Sequence, residues 1–248
     1  MIFETLIVDL KFNNDEWILT SKNGEEFKSK YLVCSTNLSL HKRSLKIFNI
    51  NQIPLRKAIP KNKDKKIDLL LNFLDKQSFI PRLTFLIYTN ENYSYKDFYS
   101  RKNRYFYLNK NLENKYKFER VIFQLQDDNK LGIVVHTRNI DFINSYINAK
   151  DEDFFKQTII TNFNELFSNN TSVNQLNCDE GISIMKWRAS QPSECAVPLS
   201  LQFSRKYKIG FCGDWFEGEG FGRIEGSILS ALILEEKFKT HSNNFLSI

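Results

Sequence analysis

The residues best suited to chemistry lie near the end of the chain. A short apolar run, Tyr207 to Cys212, ends in Gly213-Asp214. Gly218, Gly220 and Gly222 follow at alternate positions, and Arg223-Ile224-Glu225-Gly226-Ser227 then opens a helical pattern. The order is strand, acid, glycine-rich turn, helix start. Glycines let a backbone come close to a ligand. A helix start offers unpaired N–H groups and the positive end of a dipole. An aspartate at the end of the strand can accept a hydrogen bond from a hydroxyl. Together these suit a polyhydroxylated or electron-rich ligand. They equally suit a tight turn with a capped helix, and geometry alone does not choose. No Gly-Lys-Ser/Thr follows, so this is not a nucleoside-triphosphate loop.

The elements that must hold these residues can be read in outline. Thr5–Phe12 and Trp17–Thr20 read as strands, and Asn23-Gly24 signals a hairpin to a third. Tyr31–Thr36 reads as a short buried strand. Pro54 and Pro60 mark a loop-rich stretch, and Ile67, Leu70, Leu71 and Leu74 have helical spacing. Lys61, Lys63, Lys65 and Lys66 read as a solvated entry to that helix. Arg82–Thr89, Val121–Gln126 and Leu131–Thr137 read as strands of one sheet. Asn90–Lys117 gives no clear pattern. Phe142–Asn148 and Asp153–Phe167 read as helices, with Asp151 or Asp153 available as a cap. The last helix, Gly222–Phe238, is apolar nearly all round and should be buried on several sides.

Composition narrows the class. With 248 residues the chain is long enough for one large core or two small ones. The net charge of +6 is spread among interspersed acids, which argues against a nucleic-acid surface. No run of about 18 apolar residues suggests a membrane span, and the acidic start does not read as a secretory signal. The cytoplasm is therefore the expected compartment. Cys34, Cys178, Cys195 and Cys212 are too scattered for a zinc site and read as reduced, mostly buried thiols. No metal is expected.

The Gly213-Asp214 and Arg223-Ile224-Glu225-Gly226-Ser227 pair resembles the carboxy-terminal flavin motif of the amine-oxidase superfamily, renalase-like NAD(P)/FAD-dependent oxidoreductases in particular. In that family alanine is common where Ser227 stands. Met185 to Pro192, with Trp187 and Lys186, resembles another family segment, and Val134–Thr137 followed by Phe142 resembles its sheet strand and next helix. The resemblance implies a non-covalent FAD held by Gly213 and Asp214, the latter at a ribityl hydroxyl. It implies the pyrimidine edge of the flavin facing the amides of Ile224 and Glu225 after Arg223, and Trp187 near the ring. It makes NAD(P)H a candidate electron donor. Catalysis would rest on the flavin, so no catalytic residue is named. His136 reads as an ordinary sheet histidine.

The family opens with a strand-turn-helix bearing Gly-x-Gly-x-x-Gly. This sequence has none. The expected fold is therefore an incomplete FAD/NAD(P)-binding fold, α+β or α/β. Residues 1–37 would be its meander and return strand. Residues 38–195 would be an α+β substrate domain with an antiparallel or mixed sheet, and residues 196–248 the carboxy-terminal flavin segment. Three readings follow: a flavin oxidoreductase acting on a small molecule, a non-catalytic remnant, or one subunit of a split enzyme whose partner chain carries the ADP-binding half.

Overall fold

The computed structural model describes residues 2–89, 104–125, 131–149, 151–168, 176 and 181–246. The chain forms two compact units, Met1–Phe79 with Gln191–Ile248, and Ile80–Ser190.

The first unit begins with an antiparallel meander of β1 (Ile7–Asn13), β2 (Glu16–Ser21) and β3 (Glu26–Ser29). Its turns use left-handed backbone: Asn14 and Asp15 lie at φ 49° and 67°, and Gly24 at 86°. Such turns match the twist of the strands they join. Trp17 is fully buried beneath the meander and donates its indole N–H to the Tyr207 carbonyl at 2.8 Å. Next comes β4 (Leu32–Cys34), then the short helices α1 (Arg43–Phe48) and α2 (Pro54–Ala58). Pro54 starts α2 at a position where its missing N–H costs nothing; the sequence reading had a loop there. Helix α3 (Lys65–Lys76) is capped by Asp64, whose carboxylate accepts the amides of Lys66 and Ile67 at 2.8 and 3.2 Å. Its Ile67, Leu70, Leu71 and Leu74 are buried in a core shared with Leu10, Trp17 and Phe211.

The second unit is built on β5 (Phe79–Tyr88), β6 (Tyr105–Tyr107), β7 (Arg120–Leu125), β8 (Leu131–Thr137) and β9 (Gly181–Pro192). They form one sheet in the order β6-β7-β8-β5-β9. Helices α4 (Lys110–Tyr116), α5 (Ile140–Ala149) and α6 (Glu152–Phe167) complete it. Asp151, not Asp153, caps α6 by accepting the Phe154 amide at 3.0 Å. The core is strongly aromatic: Phe163 is fully buried, with ring centroids 4.7 Å from Phe167 and 6.3 Å from Phe123.

His136 sits in this sheet opposite Thr84 and Arg120. Its Nδ1 is 3.0 Å from the Thr84 hydroxyl. Burial, then the charges of Arg120 and Arg82, push its pKa down to about 4. The folded chain therefore holds it neutral. Between the ordinary histidine pKa and about 4, the unfolded chain takes a proton that the folded chain refuses. This contribution is whole above the ordinary value and is lost as pH falls toward 4. Allowing for the ring's partial exposure, the loss should be about 1–2 kcal/mol. Urea denaturation at pH 7 and pH 4.5 measures it, and His136→Gln should flatten that part of the profile.

The chain then returns to the first unit with β10 (Phe203–Ser204), β11 (Ile209–Phe211) and α7 (Ile224–Leu246). The second sheet of this unit has the order β10-β11-β4, with β11 parallel to β4 and antiparallel to β10. Strand β4 is thus an edge, and Val33 is 50% exposed, where a buried strand was expected. The last helix departs in the same direction. Leu234 is buried, but Ile224 (74% exposed), Ile228 and Leu232 make an exposed apolar row spaced by one helical turn. Apolar pattern marks which residues prefer burial; it does not supply a partner. No helix among the described residues is long and apolar enough to cross a membrane.

Candidate functional site

The Gly-Asp turn leaves the sheet at the carboxy end of β11, beside β4. Strand ends of this kind in parallel sheets are where ligands are held. The Cys212 amide donates to the Cys34 carbonyl at 3.1 Å, which continues the ladder to the turn. Gly213 follows at φ 148°. A Cβ there would meet the Trp215 indole nitrogen at 2.2 Å, so only glycine fits. Ser230, from the second turn of α7, fixes Gly213 from below. Its hydroxyl accepts the Gly213 amide at 2.9 Å and lies 3.0 Å from the Gly213 carbonyl.

The loop after Asp214 is closed by backbone. The Gly222 amide donates to the Asp214 carbonyl at 2.7 Å, and the Arg223 amide to the Gly220 carbonyl at 2.8 Å. Val197 and Phe216 form a parallel bridge, and Gln77 donates to the Trp215 carbonyl at 3.3 Å. Gly226 then packs directly on Gly220: a Cβ on Gly226 would stand 2.3 Å from the Gly220 oxygen. These contacts present the start of α7 next to Asp214. The N–H groups of its first residues, Ile224 and Glu225, have no intrahelical acceptor.

Asp214 is half-buried, and desolvation raises its pKa above the usual carboxylate range, partly offset by its own amide. Among the described residues no other side chain or ion pair satisfies its carboxylate. The Trp215 indole N–H is also buried with no partner among the described residues. Buried polar groups are normally paired, because an unpaired one costs about 1–3 kcal/mol. A hydroxyl donor beside Asp214 would relieve that cost.

The structure brings Gly213, Asp214, Arg223, Ile224 and Glu225 together within the first unit. Trp187 lies in β9, within the second unit, 46% exposed in a cavity described below. Ser230 and Trp215 were not singled out from sequence. A lone serine on an otherwise apolar helical stretch was the signal for the first. Of the thiols, Cys34 is pushed up to about 12 by burial and by Cys212, and Cys212 is raised by burial. Cys195 is exposed, contrary to the expectation of mostly buried thiols, and Cys178 lies outside the described residues. Among the described residues no cluster of side chains could hold a metal ion.

No family model and no curated protein matches the chain by sequence. Solved structures do match its fold. Putrescine oxidase, wild type and bound to putrescine, superposes with a TM-score of 0.56 at 10% identity, over 98% of this chain and 48% of that one. Cyclohexylamine oxidase from Brevibacterium oxydans gives a TM-score of 0.55 at 12% identity, over 94% of this chain and 48% of that one. The chain therefore spans about half the length of each. At these identities the likeness is one of architecture: the chain is a mixed α+β structure with antiparallel and mixed sheets that reproduces part of the amine-oxidase fold.

Proposed function

We propose that this chain forms the flavin-facing part of an FAD-dependent oxidoreductase. The observation that carries the reading is Asp214, a half-buried carboxylate unsatisfied by other side chains, beside the open amides of Ile224 and Glu225. That donor and acceptor set fits a ribityl chain and the pyrimidine edge of a flavin. Asp214 would accept a hydroxyl proton, Gly213 would leave room by lacking a side chain, and the α7 dipole would favour negative charge on the ligand. The flavin itself would supply hydride acceptance, from an amine or from NAD(P)H as donor. The renalase-like assignment rests on the motif alone.

The adenosine and pyrophosphate contacts would come from another stretch of polypeptide. Three features support this. The sequence has no Gly-x-Gly-x-x-Gly. Among the described residues the β4 edge and the row of Ile224, Ile228 and Leu232 are both left largely exposed, and both are suited to a further parallel strand and helix. The matching oxidases are about twice as long.

Titration of the purified chain with FAD, followed by flavin fluorescence and absorbance, tests the reading. Asp214→Ala should weaken binding about tenfold, the worth of one hydrogen bond to a charged acceptor. Equal affinity of the two proteins would remove Asp214 from the site.

A further inference from the structure

The second unit holds a cavity of about 380 Å³ that the flavin reading leaves unexplained. That volume falls in the range of small-molecule sites. One wall is apolar, from Leu83, Ile143 and Ile147, and Trp187, itself 46% exposed, lines the cavity as well. The polar part is cationic. Lys186 and Arg188 flank Trp187 on the edge strand β9, against a single lining carboxylate, Glu152.

That carboxylate is already engaged. Glu152 accepts the Tyr146 hydroxyl at 2.8 Å and is 3.4 Å from the Lys186 ammonium. The same ammonium stands 4.7 Å over the Tyr146 ring. Arg82, also at the cavity, is paired with Glu119. Arg188 has no carboxylate partner among the described residues. A guanidinium fork without a carboxylate, in a cavity that Trp187 and Tyr146 also line, matches a flat ring carrying a carboxylate. A cation would meet Arg188 with no free acid to balance it.

We propose that this cavity binds a small aromatic carboxylate and discriminates against amines. The putrescine oxidase that shares the fold is bound to a diamine; the cavity here has the opposite charge preference. The inference goes beyond the flavin reading and does not rest on it, since every residue used belongs to the second unit.

Phenylacetate and phenethylamine, equal in shape and opposite in charge, test it by calorimetric titration of the full chain. Phenylacetate should bind at least about tenfold more tightly. Arg188→Gln should weaken phenylacetate about fivefold to tenfold. Glu152→Gln keeps the acceptor for Tyr146 but removes the negative charge, so it should tighten phenylacetate, a gain that misfolding cannot imitate. Tryptophan emission locates the site: Trp17 and Trp215 are buried, so a response lost in Trp187→Phe assigns binding to this cavity. Phenethylamine binding as well as phenylacetate, no phenylacetate binding, or both charge variants leaving its affinity unchanged would overturn the proposal.

Discussion

Gly226→Ala should destabilise the first unit by about 2–3 kcal/mol, although alanine is the better helix former by about 1 kcal/mol. Two effects oppose each other here. Helix propensity favours alanine inside α7. The new Cβ, however, would sit 2.3 Å from the Gly220 oxygen and 2.7 Å from the Gly220 carbonyl carbon. Both are backbone atoms. Gly220 cannot step aside cheaply, because its carbonyl holds the Arg223 amide and its φ of 78° is already one that favours glycine. The helix start must lift instead, which also moves the amides of Ile224 and Glu225. Urea denaturation should show the loss of stability, and flavin titration a weaker site. Ser227→Ala, one residue on, is the control. Its hydroxyl makes no hydrogen bond among the described residues, so it should stay within about 0.5 kcal/mol of the parent. A Gly226→Ala protein as stable as that control would refute the close-packed turn.

Phe163→Ala should cost the second unit about 3–5 kcal/mol. Phe163 has no exposed surface and stands among Phe123, Phe155, Phe167 and Ile159 in one core. Removing its ring leaves a hole lined by other rigid rings, which cannot collapse into it without leaving their rotamers. Phe163→Leu retains most of the volume and should cost markedly less. The exposed Phe154, about two and a half helical turns away on α6, provides the contrast. Its replacement by alanine should stay within about 0.5 kcal/mol, the range of surface changes. Similar losses at both positions would mean that α6 packs on a different face.

Local chemistry made much of this fold readable. Asn23-Gly24 specified its hairpin, Ile67 to Leu74 specified α3, and the alternating strands Arg82–Thr89 and Leu131–Thr137 do pair in register. Each signal is set by residues close in sequence. The failures concern partners distant in sequence. Val33 and Ile228 are as apolar as core residues, yet the described residues leave about half of each exposed. The short β6 and α4 carry too few residues for a period to show. At the site, the strand, the Gly-Asp step and the helix start were legible because each has a distinct residue type. Ser230 was not, because its bond to Gly213 spans 17 residues. Trp215 was not, because its role is to fill the space that glycine leaves.

The most direct test of the account compares riboflavin, FMN and FAD binding to the same purified chain. In the proposed site Asp214 and the α7 start would address only the ring and the ribityl chain, which all three share. The account predicts that all three bind, with affinities within about fivefold of one another, and that Asp214→Ala weakens each by about tenfold. Binding of none of the three, or equal binding by the parent and Asp214→Ala, would contradict it.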